Sequence, residues 1–273
     1  MSDENAGVVS TEGGAGGEAK RASVICLAYA GVSYFVFLGT LSAFILWAGG
    51  LLGHILPFEL SLPVVAPGVT NVVAIVINLL LMAVFAVQHT IMARSGFKKW
   101  ITKFVPEHLE RSTFMYFSSA SLALIFLFWQ PIGGEIWNVS NATLRGVIWA
   151  AYAAGWGGLV LSSFFIDHFS LFGLTQVWNA RRGVEPKPAS FKAPGPYKLV
   201  RHPMMTGVIV GLFALPTMSA GGLMLAITFT VYIYFGTTFE EKSLIEELGD
   251  DYVAYRGKVA RLFPFVRLPG GSA

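Results

Sequence analysis

Four long apolar runs leave few folds open to this chain. Residues 24–52, 71–93, 112–130 and 142–166 carry almost no charge. Each approaches or exceeds the roughly 20 residues an α-helix needs to cross bilayer hydrocarbon. Backbone in lipid must satisfy its own polar groups, so such runs fold as helices. Only 13% of the residues are charged, about half the share in a soluble domain. A net charge of +3 is no nucleic-acid signature, and no nucleic-acid partner is expected. The leading residues 1–20 are small, polar and acidic, and read as a disordered tail. They lack the basic start of a signal peptide, and the apolar run behind them is too long for one.

A fifth apolar stretch, 204–234, is broken by Pro216, Gly221 and Gly222. The break predicts a tight hairpin of two short or tilted helices. Basic residues test the layout. Two lie at Lys20 and Arg21, five between residues 94 and 111, six between 181 and 201, and five after 240; only Arg145 stands apart. All four groups share one side if 24–166 cross four times and 204–239 go out and back. The positive-inside rule then puts that side in the cytoplasm. The expected architecture is an all-α integral membrane protein. It has four transmembrane helices, a C-terminal helical hairpin and a cytoplasmic helical tail, with both termini cytoplasmic. Residues 21–166 form the four-helix part, and 167–267 hold the hairpin and the chemistry.

Arg201, His202 and Pro203 precede the hairpin, and Glu240 and Glu241 follow it. A hairpin makes these neighbours at one membrane surface. Glutamates ending an apolar helix are costly without a partner or a polar cavity. Tyr252 and Tyr255, at i and i+3, share one helix face, with Tyr252 read as a membrane anchor. His89 is an ionisable group inside a span, a helix-interface histidine or a functional one. Asp167 and His168 read as an interface pair, or as a base and its local field. Trp129, Trp137, Trp149 and Trp156 read as interface belts. Five scattered histidines and the single Cys26 make no metal-ligand spacing and no intramolecular disulfide, so no metal is expected.

The pattern Gly195-Pro196-Tyr197, Arg201-His202-Pro203, an apolar hairpin, Glu240-Glu241, Leu244, Gly249, Tyr252, Tyr255 and Pro264 resembles the integral-membrane methyltransferases. That superfamily includes isoprenylcysteine carboxyl methyltransferases and phospholipid N-methyltransferases. The resemblance implies an S-adenosylmethionine site built from Ser190, Phe191, Lys192, Tyr197, Arg201, His202, Pro203, Met204, Met205, Glu240 and Glu241. Glu240 would hold the charged amino-acid end of the cofactor. Two positions depart from the carboxyl methyltransferase pattern. Gly236 stands where those enzymes carry a substrate-binding arginine, which argues against a carboxylate acceptor, and Met205 replaces a bulky aromatic.

Further motifs narrow the resemblance: Val87-Gln88-His89-Thr90, Glu110-Arg111-Ser112-Thr113, Phe128-Trp129-Gln130-Pro131, Gly155-Trp156, and the run from Asp167 to Trp178. Together these are similar to the NnrU-like branch of the superfamily. That resemblance implies methyl transfer to a small thiol, methanethiol going to dimethyl sulfide, in a bacterial inner membrane. His168 and His89 are the candidate bases, with Asp167 orienting His168. Gln176 and Trp178 are the substrate-side candidates. The competing readings are a non-enzymatic accessory membrane protein and a methyltransferase acting on a lipid or prenyl-cysteine. A transporter is disfavoured, because no inverted repeat is present and the charges gather at one surface.

Overall fold

The structure is a computed structural model that describes residues 22–52, 68–185 and 191–264. Lys20, Arg21, the tail 1–20 and Ser190 lie outside the described residues. Helix α1 spans Val24–Ala48, α2 Asn71–Met92, α3 Ser95–Ile101, α4 Glu110–Phe128 and α5 Ala142–Ile166. Short helices α6 (His168–Leu171) and α7 (Leu174–Arg182) follow, then a 3-10 turn at Gly195–Lys198. Helices α8 (Pro203–Phe213), α9 (Ala220–Leu248) and α10 (Asp250–Lys258) complete the chain. Among the described residues, five helical segments are long and apolar enough to cross a membrane: α1, α2, Glu107–Phe128 (which contains α4), α5 and α9. The protein is an all-α membrane protein, and all four apolar runs of its first part are helical.

Capping chemistry sets several boundaries. Asn141 accepts a hydrogen bond from the Leu144 amide at 2.9 Å, and Ser219 accepts one from Gly222 at 3.0 Å. Such side chains satisfy amides that the first helical turn leaves without partners. Pro203 opens α8 where a missing N–H costs nothing.

Helix α4 is the most enclosed of the long helices. Its small polar residues Ser112, Thr113, Ser118, Ser119 and Ser121 are buried against α1 and α2. Helices α5 and α8 meet at their backbones. A Cβ on Gly155 would stand 2.6 Å from the Gly211 nitrogen, and one on Gly207 2.5 Å from the Gly155 carbonyl oxygen. Small residues at such a crossing let helices approach more closely than larger side chains would. Phe44, Phe85, Ile125, Trp129, Trp156, Leu212 and Phe229 form the shared core. Trp129 and Trp156 are thus core residues rather than interface belts. Valines, leucines and phenylalanines such as Phe35, Leu80 and Leu161 face outward, as lipid-facing surfaces require.

The hairpin is asymmetric. Helix α8 has 11 residues and α9 has 29, or about 16 Å and 43 Å at 1.5 Å per residue. The turn between them contains a strand, Thr217–Ser219 (β2), paired antiparallel with Glu135–Asn138 (β1). This two-stranded ribbon has no counterpart in an all-helical expectation. It forms because Pro216 ends helical pairing, and the extended backbone finds partners in the facing loop. Val139 N–H donates to the Pro216 carbonyl and Ala220 N–H to Gly134, both at 2.9 Å. The Trp137 indole donates to Leu215.

Candidate functional site

The polar side chains gather at the end of the bundle opposite the ribbon. Glu241, on α9, is 2% exposed, and a carboxylate so placed requires cationic partners. Arg201 Nε lies 2.7 Å from its Oε1, His202 Nε2 3.1 Å away, and Arg256 and Arg261 each 3.4 Å from Oε2. The two arginines of the tail have no counterpart among the sequence-predicted site residues. The signal for them was physical: two adjacent glutamates ending an apolar helix, with basic residues still to follow. Backbone pairing fixes the arrangement. Arg201 N–H donates to Ala260 and His202 N–H to Arg261, so the tail runs beside residues 200–202. The Arg201 guanidinium also donates to the Val259 carbonyl, and the Thr206 hydroxyl to Leu262.

Glu240 is placed differently. Its side chain is 52% exposed and meets one group, His202 Nδ1, at 3.4 Å. Burial would push the His202 imidazole down. Its hydrogen bonds to Glu240 and Glu241 outweigh that and hold it above the ordinary histidine range. Glu241 and Arg201 are committed to one another, whereas Glu240 retains accessible carboxylate surface. Tyr197 is buried nearby, and its carbonyl accepts from the Tyr255 hydroxyl at 2.6 Å. Burial raises both phenols, Tyr255 to about 12, so both remain protonated at neutral pH. Phe191 lies 5.0 Å from the Tyr255 ring and 6.2 Å from the Tyr252 ring. Tyr252 is itself buried. It is an interior contact of the tail, not a membrane anchor, because its ring is spent on Phe191 and Tyr255. Lys192 is exposed, Met204 is half-buried, and Met205 packs against Ile209, Ile233 and Leu262.

A second polar group lies between α2, α4 and α9. His89 Nδ1 meets the Ser118 hydroxyl at 3.3 Å, while its Nε2 has no partner among the described residues. The imidazole stacks on Phe85 and touches the Phe114 and Tyr232 rings. Tyr232, Gly236 and Glu240 follow at four-residue intervals and so share one face of α9. A Cβ on Gly236 would meet nothing within 4 Å. Gly236 thus leaves this face of α9 uncovered between Tyr232, beside His89, and Glu240, beside His202.

His168 is not available as a base in this arrangement. The Ser163 hydroxyl donates to the Val160 carbonyl, so its oxygen accepts from His168 Nδ1–H at 2.6 Å. Nε2 is left to accept from the Tyr34 hydroxyl at 2.8 Å. Both ring nitrogens are committed, and the ring lies flat on Phe164. Burial lowers its pKa, against an opposing push from Asp167. Asp167 does not orient the ring. Its carboxylate accepts from the Ser170 amide and caps α6, a more local bond than a reach to the adjacent side chain. Gln176 donates to the Ser170 carbonyl at 2.9 Å, and its Oε1 is buried without a partner among the described residues. Trp178 is 53% exposed. A cavity of about 560 Å³ lies at the ribbon end among Trp47, Trp129, Arg145 and Trp149; it contains none of the candidate site residues. Among the described residues no His, Cys, Asp and Glu cluster could hold a metal ion.

An apolar helical bundle with titratable groups collected at one end defines an integral membrane protein with a polar site at that end. Comparison with curated proteins is more specific. The chain is 42% identical over 244 residues to methanethiol S-methyltransferase 1 of Bradyrhizobium diazoefficiens, covering 89% of this chain and 83% of the relative. It is 40% identical over 242 residues to the methanethiol S-methyltransferase of Mycobacterium tuberculosis, covering 88% and 96%. A weaker similarity, 28% over 187 residues, covers 61% of this chain and 66% of nurim from Rattus norvegicus. The chain belongs to the methanethiol S-methyltransferase family. No family model and no solved structure matches it.

Proposed function

We propose that this protein transfers a methyl group from S-adenosylmethionine to methanethiol, giving dimethyl sulfide. The observation that carries this reading is Glu240. It is a half-exposed carboxylate paired with His202, on the same face of α9 as Gly236, at the end of the bundle that also holds Tyr197 and the Phe191–Tyr255 ring pair. These groups fit the cofactor: a carboxylate for its ammonium, aromatic surfaces for its adenine. When bound, the cofactor supplies an electrophilic methyl on a sulfonium. Glu240 holds the amino-acid end, and Tyr197, Phe191, His202, Pro203 and Met204 line the pocket, with Lys192 at its rim. Arg201 and Glu241 act by fixing His202 and the tail against it.

The chain must also take a proton from the thiol, because the thiolate is the nucleophile. His89 Nε2 has no partner among the described residues and its ring lies beside Tyr232 on this face of α9, and we assign it the base. The apolar walls around it, Phe85, Phe114 and Tyr232, suit a small apolar thiol and keep water away. Gln176, with its unpartnered Oε1, and Trp178 lie on the segment that continues from Asp167 and remain substrate-side candidates.

The same reading sets the membrane layout. Helices α1, α2, α4 and α5 cross the bilayer. Helix α8 with its extended turn goes out, and α9 returns and projects past the interface, carrying Glu240 and Glu241. The site end lies in the cytoplasm with both termini, because the basic residues collect there and Arg145 alone marks the ribbon end. The membrane is a bacterial inner membrane. Residues 21–166 supply the scaffold and His89, and 167–267 supply the cofactor clamp.

The test is direct. Purified protein is incubated with methyl-labelled S-adenosylmethionine and a panel of thiols, amines and carboxylates. A labelled volatile sulfide from methanethiol is expected. Labelled amine or ester products, or no product from any thiol, would overturn the reading.

A further inference from the structure

Arg111 has an unusual position for a cation. It lies in the first turn of α4, within a segment long and apolar enough to span a membrane, and is half-buried. Its Nε donates to the Leu171 carbonyl at 2.8 Å, and its guanidinium carbon stands 5.6 Å from the Phe114 ring centre. Among the described residues it has no ion pair and no bond from either Nη group. The contrast with Arg201, Arg256 and Arg261, all gathered on Glu241, is sharp. A guanidinium withdrawn from water without a counter-ion is costly. That cost suggests a function that needs a positive charge there.

The Phe114 ring is shared, because His89 packs on it at 4.9 Å. One aromatic side chain thus contacts both the Arg111 guanidinium and the His89 imidazole. The loop that supplies Leu171 is held close by Gly173, at φ +90°. A Cβ there would lie 2.8 Å from Ser112 Oγ and 3.2 Å from the Arg111 Cβ. The charged and titratable groups around Arg111 are Glu110 on its own helix, His89 on α2, Arg94 between α2 and α3, Tyr232 and Glu240 on α9, and Asp167 and His168 beyond the loop. Of the carboxylates, only Glu110 and Glu240 act on it electrostatically, and neither forms an ion pair with it.

We propose that Arg111 is the electrostatic anchor for the thiolate, its free Nη groups holding the acceptor sulfur while His89 Nε2 takes the proton. This rests on the methyl-transfer reading above. In the step, the thiol S–H proton passes to His89 Nε2, leaving an electron pair on sulfur. That pair forms the new S–C bond as the sulfonium–methyl bond breaks, and the breaking bond's electrons stay on the donor sulfur. The imidazolium then returns its proton to water. A neutral thiol is a weak nucleophile in an apolar pocket; a guanidinium beside it favours the anion in the low-dielectric surroundings where that matters most.

The test compares wild type, Arg111→Gln and Arg111→Lys in detergent, with methanethiol and a more acidic fluorinated ethanethiol. Arg111→Gln is expected to bind S-adenosylmethionine within about twofold of wild type by calorimetry. Its kcat/KM for methanethiol should fall about 100-fold or more, the scale for loss of a transition-state charge partner. Its pH–rate profile should move up by about one unit, and the acidic thiol should lose far less. If Arg111→Gln does not fold, Arg111→Lys carries the test, with a smaller loss again concentrated on the weakly acidic thiol. Equal loss across thiols with an unmoved pH profile would overturn the assignment. So would a collapse of cofactor affinity, which would make Arg111 a ligand of the cofactor carboxylate. Wild type that methylates no thiol would instead refute the proposed function.

Discussion

Replacing Glu241 and Glu240 one at a time separates the stabilising role of one from the binding role of the other. Glu241→Gln keeps the side-chain volume and removes the charge. Arg201, itself buried and 2.7 Å away, then loses its counter-ion, and His202 at 3.1 Å loses one of its two carboxylate partners. Removing one partner of a buried ion pair costs about 3–5 kcal/mol. Arg256 and Arg261 retain partial solvent exposure and can turn toward water, which puts the expected loss near the lower end, about 3 kcal/mol. For a chain of this size that lowers Tm by about 6–12 °C. Glu240→Gln removes a half-exposed carboxylate with one imidazole neighbour, and its cost should stay within about 1 kcal/mol. Its S-adenosylmethionine affinity should fall about 10- to 100-fold, the value of a charge-assisted hydrogen bond. Thermal unfolding of both variants in detergent, followed by tryptophan fluorescence, together with calorimetric titration of the cofactor, reads out both effects. If Glu241→Gln melted with wild type, or if Glu240→Gln bound the cofactor normally, the division of labour between the two glutamates would be refuted.

Three further predictions follow from the same geometry. His202 has a folded pKa raised above 6.5, so its contribution to stability is complete below that value and is lost as pH rises through the folded pKa. Wild-type Tm should fall with rising pH above neutrality, and the slope should flatten in His202→Gln; a slope unchanged by the substitution would remove His202 as its cause. His168→Ala breaks the bonds to Ser163 and Tyr34 and should cost about 1–3 kcal/mol with little change in turnover by the folded protein, whereas His89→Ala should lose about 100-fold in kcat. The reverse ranking in a single-turnover assay would return the base to His168. Gly207→Ala places a methyl 2.5 Å from the Gly155 carbonyl and should cost about 1–3 kcal/mol, while Gly236→Ala, facing open space, should leave Tm unchanged; equal melting of the two would show that the α5–α8 contact is looser than described.

Much of the architecture was legible because lipid makes a simple demand. Apolar runs of 19 to 29 residues in 24–166 had to be helices, and their ends fell within four residues of those observed. The break at 216–222 was legible for the same reason, since Pro216 cannot continue a helix. The ribbon it makes with residues 135–138 was not, because strand pairing between segments about 80 residues apart leaves no local periodicity. Tyr34 shows the limit most plainly. It is one polar tip in the apolar run of α1, without any pattern around it, yet it occupies the ring nitrogen that made His168 attractive as a base.

The sequence by itself determined that the chain is a helical membrane protein and that Arg201, His202, Glu240 and Glu241 meet at the ends of a hairpin. These follow from hydropathy, charge and spacing, which are properties of the chain taken locally. Only the tertiary structure decided which of the two glutamates is buried, that His168 has both ring nitrogens engaged while His89 does not, and that Arg201, Arg256 and Arg261 gather on Glu241. Adjacent residues on a helix point about 100° apart, so Glu240 and Glu241 are nearly equivalent as letters and opposite as environments. The difference comes from Arg256 and Arg261, carried by a tail that packs back on the hairpin, and no local pattern specifies where that tail will lie.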